Sequence, residues 1–199
     1  MKQISLSGSL REDVGRQNAT QLRRSGRVPG VLYGGTDQVH FSVDSMDLSK
    51  IMRQPETFQI NLDLNGKTYA TILQEVQLHP VKDNVVHIDL LELIPGKEVK
   101  TALPVRVTGS SEGVKAGGKL VQNYRKMRII GKPEDLPEAI VVDISPLQIG
   151  DLIRVREVAV PGCRFAEAEA SAVVAIQATR ASIAASQASD EDDKKKKKK

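Results

Sequence analysis

The chain has no tryptophan, three tyrosines, three phenylalanines, three histidines and a single cysteine among its 199 residues. Each scarcity removes a class of function. One cysteine, Cys163, forbids an intrachain disulfide and suits a reducing compartment. It follows Pro161-Gly162 with no histidine beside it to activate the thiol, so it reads as a silent structural residue. His40, His79 and His87 lack the His-x-x-x-His spacing of a helical zinc site and have no cysteine pair to join, so no metal is expected. No nucleophile-elbow motif presents a serine, and the acidic residues form no cluster that would force pKa values apart. The chain therefore reads as a non-enzyme with no cofactor and no small-molecule substrate.

Long apolar runs are also missing. Nothing approaches the roughly 20 residues a membrane helix requires. The amino end turns polar at Ser5, Ser7 and Ser9 without a signal-peptide apolar region. A cytoplasmic protein with no membrane partner is expected, for which the Asn18-Ala19-Thr20 sequon has no consequence. With 3% aromatic residues, the cores must rest on Val, Ile, Leu and Ala. A base-stacking platform is not expected, because Phe41, Phe58 and Phe165 lie in strand patterns that predict burial.

What is present is arginine, concentrated near one end. Residues 1–35 carry six basic side chains against Glu12 and Asp13, a net +4 that equals the charge of the whole chain. The last ten residues add six lysines to an acidic run, so the sequence between is slightly negative. In Leu22-Arg23-Arg24-Ser25-Gly26-Arg27-Val28-Pro29-Gly30-Val31-Leu32-Tyr33-Gly34-Gly35, three arginines crowd a helix exit. A Gly/Pro turn is then expected to feed a short strand ending in tyrosine. Guanidinium groups are planar, permanently charged and matched to phosphate oxygens. A helix end and a proline-fixed turn would hold them at set spacings. An anionic partner follows, and a pI near 9.2 fits one without choosing among nucleic acid, lipid and acidic protein.

The periodicity predicts a mainly β protein. Over residues 1–95 it gives a mixed antiparallel sheet or small β-barrel with two helices. Strands are read at 3–10, 31–33, 39–43, 58–64, 67–78 and 85–94, with Asn65-Gly66 as a hairpin turn. One helix is capped by Asn18, runs through Arg24 and is closed by Gly26. The other is capped by Asp44 or Ser45, has Met46, Leu48, Ile51 and Met52 on its apolar side, and stops at Pro55. Pro95-Gly96-Lys97 marks a boundary. Beyond it, residues 96–179 read as an all-β domain, a roll or sandwich, with strands at 100–107, 120–130, 139–144, 153–160 and 173–176. The Gly113–Lys119 loop lacks the length, the Gly-Lys-Ser/Thr ending and the strand–loop–helix frame of a phosphate loop. Residues 180–199 are Ala/Ser-rich and then acidic and lysine-rich, and cannot bury a core. Lys194–Lys199 serves either as a solubilising end or as a nonspecific polyanion contact.

His87 and Asp89 flank Ile88, which places both on one strand face roughly 6–7 Å apart, while Val86 and Ile88 point to the core. They form either a solvated polar pair or a group that exchanges hydrogen bonds with bases and 2′-hydroxyls. With no stacking platform expected, double-helical RNA suits such a surface better than single strands.

At these residues the sequence resembles a known family. Leu22 to Gly35, Gln74-Glu75-Val76-Gln77-Leu78-His79-Pro80 and Val86-His87-Ile88-Asp89-Leu90 resemble the bacterial large-subunit ribosomal proteins that bind 5S rRNA, the twenty-fifth large-subunit family. Gly113-Val-Lys-Ala-Gly-Gly118 and Leu147-Gln-Ile-Gly-Asp151 extend the likeness to its long form, the general stress protein CTC type, over residues 3–178. The resemblance implies a barrel domain that binds 5S rRNA in the central protuberance, and a C-terminal β domain, absent from short forms, whose contacts, with neighbouring ribosomal proteins or with RNA, it leaves open. It implies a cytoplasmic, ribosome-associated role in translation. The RNA contacts it implies fall on Arg11, Arg23, Arg24, Tyr33, His87 and Asp89, with Arg16, Arg27 and Gln74 following. The lysine-rich end departs from the acidic tails of many relatives. Two rivals stand beside this reading: a free tRNA-binding module, and a protein-docking scaffold with incidental basic ends.

Overall fold

The Phe58–Leu64 alternation and the Asn65-Gly66 turn behave as their chemistry dictates. In the computed structural model, which describes residues 2–35, 37–54 and 56–180, Asn65 and Gly66 both take positive φ, 53° and 86°. Such a turn has the twist that joins antiparallel strands tightly. The strands it joins are Gln59–Leu64 (β4) and Lys67–Leu78 (β5). Four more complete the sheet: Gln3–Leu10 (β1), Arg27–Tyr33 (β2), Val39–Asp44 (β3) and Val85–Glu92 (β6). Their order is β1-β3-β2-β6-β5-β4, and parallel pairing of β4 with β1 closes the barrel. Closure leaves no unpaired edge. Inward positions alternate along each strand. Leu6, Val28, Leu32, Phe41, Val43, Ile60, Leu62, Leu64, Ile88 and Leu90 are each at most 2% exposed, a set large enough to drive folding without aromatic bulk.

Two helices accompany the barrel, Arg16–Arg24 (α1) and Ser45–Met52 (α2). Asp44 caps α2, its Oδ1 accepting from the Met46 amide at 2.7 Å. Leu48 and Ile51 pack into the barrel core, whereas Met46 is exposed rather than apolar-side filling. Pro55 lies outside the described residues. Asn18 is not the cap of α1. That place belongs to Gly15, which offers no side chain, and Asn18 sits a turn inside the helix accepting a bond from Arg11.

The expected turn at Val28-Pro29-Gly30 is strand. Pro29 lies just before the β2–β6 ladder, which opens at Gly30–Ile88, so its missing amide costs that ladder nothing. Gly30 is there for space: a Cβ would meet Ile88 Cγ1 and Phe41 Cζ at 2.7 Å. Glycine beside proline here marks close packing across the barrel.

The described chain packs into two compact units. One comprises the residues up to Pro104 together with Arg128–Ala139 and Pro161–Arg164; the other takes Val105–Met127, Ile140–Val160 and the residues from Phe165 on. Past β6 the strands are Val99–Thr108 (β7), Lys119–Gln122 (β8), Lys126–Gly131 (β9), Ile140–Asp143 (β10), Leu152–Arg154 (β11), Cys163–Phe165 (β12) and Ala172–Gln177 (β13). They form a four-stranded sheet, β10-β7-β9-β12, and a three-stranded sheet, β11-β13-β8. The region is β-rich, as expected, with one helical turn, Glu112–Lys115 (α3), and a 3-10 turn at Val155–Glu157 between its strands. The single strand expected at 120–130 is two. Asn123-Tyr124-Arg125 breaks it, and the halves join different sheets. The strand expected at 153–160 stops at Arg154, where the chain enters the 3-10 turn and Val155 is buried. Cys163 opens a short strand, and burial together with the charge of Asp135 pushes its thiol pKa up. That keeps it protonated and unreactive. Gly113 is packed tightly on the neighbouring backbone, where a Cβ would meet the Gln148 carbonyl carbon at 2.6 Å and the Ile149 nitrogen at 2.8 Å. The Ser111 hydroxyl accepts from the Gly113 amide and donates to the Leu147 carbonyl, tying the loop to that segment.

Candidate nucleic-acid interface

Helix α1 is physically unusual. None of its residues is buried, its amino end has no side-chain cap, and its first turn holds no acid. Its apolar side is only Ala19 and Leu22, both half-buried, so packing contributes little, and nine residues are too few to be stable alone. Arg23 and Arg24 in its last turn interact favourably with the partial negative charge there. Beyond that small apolar side, the helix is fixed in place by a set of polar tethers, several made by the arginines themselves.

Arg23 makes the principal tether. Its Nε donates to the Val86 carbonyl at 3.0 Å. Val86 is the extra residue of an irregularity in the β5–β6 ladder, where Gln77 pairs with His87 and Leu78 with Val85. Such a residue has a carbonyl the ladder does not use, and Arg23 takes it. Arg11 makes the second, its Nη2 donating to Asn18 Oδ1 at 3.0 Å and to the Asp13 carbonyl at 3.3 Å. Arg11 Nε is buried without a partner among the described residues.

Arg27 behaves differently from the helix arginines. It lies along the outer face of β1, β3 and β2, its Nε bonding Ser42 Oγ at 3.1 Å and its Nη2 bonding Ser9 Oγ and the Ser42 carbonyl, both at 2.8 Å. The sequence offers it as a free fork; the fold spends it as a staple across three strands. Arg16 and Arg24 are exposed, with no side-chain partner among the described residues. They share one helical face with Gln17, Thr20 and Gln21.

Beside the helix, the barrel exterior carries the second group. Register places Val31, Asp89 and Glu75 in one row across β2, β6 and β5, and Gln77 opposite His87 in the next. His87 Nδ1 lies 2.8 Å from Asp89 Oδ1, an ion pair whenever the imidazole is charged, with side chains about a quarter exposed. The contact lacks hydrogen-bond alignment, so this buried nitrogen has no directional partner. Tyr33 ends β2 near the same row. Burial first, then the charges of Asp89 and Glu75, raise its phenol pKa, which keeps the hydroxyl a donor. Gln74 is the extra residue of a second ladder irregularity, between the Leu73–Leu90 and Glu75–Asp89 pairs, and is exposed next to Glu75.

The structure therefore gathers Tyr33, Gln74, His87 and Asp89 on neighbouring outward positions, and Arg23 links them to α1. Glu75 was missed by the sequence reading. Alternation within β5 alone does not show it facing Asp89, because the irregularity at Gln74 shifts the phase. Two carboxylates side by side repel phosphate and accept from amino, hydroxyl or guanidinium donors. The surface can thus attract a polyanion through the helix and test its shape and base edges through the sheet. Among the described residues no cluster could hold a metal ion, and no helix is long and apolar enough to cross a membrane.

These features define a class: a closed β-barrel carrying an arginine-rich, solvent-exposed helix, continued by a β-rich second half. Comparison with known proteins resolves it further. The Ribosomal L25p family model matches residues 6–90, and the model for the ribosomal protein TL5 C-terminal domain matches residues 98–180. The large ribosomal subunit protein bL25 of Amoebophilus asiaticus is 37% identical over 181 residues, 91% of this chain and 92% of that protein. The protein of the same name from Porphyromonas gingivalis is 38% identical over 184 residues, 92% of this chain and 96% of its own. That of Bacteroides thetaiotaomicron is 35% identical over 193 residues, covering 94% and 98%. The chain belongs to the bL25 family of ribosomal proteins, in the long form that carries a TL5-type C-terminal domain. It is a structural ribosomal protein and not an enzyme.

Proposed function

We propose that this chain is a cytoplasmic component of the large ribosomal subunit that binds 5S rRNA in the central protuberance, through residues 1–95, during translation. The observation that carries this reading is α1, a helix with no buried residue that holds two unpartnered arginines on one face and is tethered beside the outward group of Tyr33, Glu75, His87 and Asp89. Double-helical RNA is recognised through its backbone and the wide minor groove, with its 2′-hydroxyls and base edges. Arg16, Arg24 and the free end of Arg23 supply phosphate contacts, with Arg11 beside them. Tyr33 donates, and Gln74, His87 and Asp89 address groove edges. Arg27 supports this surface from the barrel wall.

The test is a gel-shift titration of the full chain with transcribed 5S rRNA, competed by tRNA at equal nucleotide concentration and above. Retention of the 5S complex under a large excess of tRNA is the expected result. Equal competition by tRNA would transfer the function to general folded-RNA binding, and absence of a complex at low salt would remove the reading altogether.

A further inference from the structure

A cleft of about 280 Å³ opens between the exit of α1, the start of α2 and the turn joining β5 to β6, with Arg23, Val28, Ser49, His79, Asn84 and Val86 among its lining residues. It shares no lining residue with the helix face that holds Arg16 and Arg24. Its volume falls below the roughly 300–1,000 Å³ of sites that take drug-sized ligands, which leaves it suited to a single flat ring.

Two lining groups are planar, and the fold fixes the orientation of each. The Arg23 guanidinium is held at Nε by the Val86 carbonyl, so its terminal amino groups remain available. The His79 imidazole is held at Nδ1, which accepts from the Val81 amide at 3.2 Å and the Lys82 amide at 3.3 Å. A nitrogen accepting two amides carries no proton, so in the neutral ring the hydrogen sits on Nε2 as a donor. The turn is itself rigid. The His79 amide donates to the Asn84 carbonyl at 2.8 Å, the Asp83 amide donates to the His79 carbonyl at 3.0 Å, and Asp83 takes a positive φ of 53°. Val28 and Val86 give the cleft apolar wall, and the Asn84 amide can both donate and accept.

Unstacked RNA bases are recognised by this set of parts: a histidine ring or arginine plane to stack on, with amide groups to meet a base edge. We propose that the cleft is a binding site for one everted nucleobase of the RNA that lies along α1. The inference rests on the RNA-binding reading above and adds a base-specific subsite to it. Stacking, for which the scarcity of tyrosine and phenylalanine had left no platform, is supplied by Arg23 and His79. The base enters from the end of α1, where the exposed Arg24 stands ready to hold the flanking phosphate.

The test needs no ribosomal RNA. The full-length protein is titrated separately with AMP, GMP, CMP and UMP, with ribose 5-phosphate as the baseless control, while the ring proton resonances of His79 are followed by NMR. At least one nucleotide should shift those resonances saturably in the millimolar range, and ribose 5-phosphate should not. His79→Ala removes the acceptor that shapes the turn and risks unfolding it, so the decisive variant is His79→Asn. Its side-chain oxygen can accept the same two amides but has no ring. It should keep the spectrum of the barrel and weaken nucleotide binding by roughly 5-fold or more, the loss expected for one stacking partner. Unmoved His79 resonances, equal shifts with ribose 5-phosphate, or undiminished binding by His79→Asn would overturn the proposal. So would a photo-crosslinker at Asn84 in ribosome-bound protein that captures protein and no RNA. The first three results leave binding of 5S rRNA by α1 standing, because that reading is decided by the gel shift.

Discussion

At the scale of single residues, side chains of one type divide into different tasks. Arg27, Arg23 and Arg24 stand within five positions of one another, yet Arg27 is bonded along the barrel wall, Arg23 is half engaged, and Arg24 is free. Tyr33 is tuned in a similar local way. Burial and the neighbouring charges of Asp89 and Glu75 raise its pKa. A group whose folded pKa lies above its unfolded value gives stability that is complete below the unfolded value and is lost as pH rises through the folded one. The phenol therefore donates across the physiological range, and its contribution to stability disappears only on the alkaline side. Asp89→Ala removes the larger of the two charge effects. The variant should show tyrosinate absorbance appearing at lower pH than in the wild type, and should bind 5S rRNA more weakly by about 1–3 kcal/mol, since a groove-edge acceptor is lost. An unchanged alkaline titration would detach Asp89 from Tyr33. Unchanged affinity would take Asp89 out of the RNA contacts.

At the scale of elements, the parts legible from sequence are those where local chemistry and tertiary demand agree. The β4–β5 hairpin, the Asp44 cap and β4 follow from Asn65-Gly66, an Asp before an apolar-periodic run, and the clean alternation of Phe58–Leu64. The misreadings fall where one signal has two physical meanings. Proline and glycine at 29 and 30 read as a turn, but glycine serves equally where two side chains need its missing Cβ, and only the pairing of β2 with β3 and β6 reveals that use. The strand expected at 120–130 conceals a break because its halves belong to different sheets. Of the candidate site, the residue types were legible, whereas their engagement was not. Neither the Arg27 staple nor the Glu75–Asp89 row follows from spacing, because both depend on register between strands distant in sequence. Gly30→Ala tests the packing interpretation. The added methyl must displace the Phe41 ring and Ile88 from contacts of 2.7 Å, an overpacking cost of about 1–3 kcal/mol. The thermal midpoint should fall by several degrees with secondary structure retained. A midpoint equal to the wild type would mean that glycine at this position answers to backbone conformation instead.

At the scale of the whole molecule, total charge says less than where charge is left unpaired. The net +4 is matched by residues 1–35 alone, but the fold withdraws part of that positive charge from solvent contact by bonding Arg11, Arg23 and Arg27 internally. Counterion release on RNA binding depends on the phosphates that are neutralised, not on formal charge. Binding by this protein should accordingly be less salt-sensitive than its arginine count implies, and variants should separate cleanly. Arg24→Ala should leave the thermal midpoint unchanged and make the log–log dependence of affinity on salt shallower by roughly one phosphate, about 0.7–0.9 in slope. Arg27→Ala should do the reverse, lowering stability by about 1–2 kcal/mol through its lost hydrogen bonds while the salt slope at a temperature well below the midpoint stays that of the wild type. Salt titrations of 5S rRNA binding, paired with thermal melts of both variants, decide the matter. If Arg27→Ala flattens the slope as much as Arg24→Ala does, the staple opens when RNA arrives, and the barrel wall belongs to the binding surface.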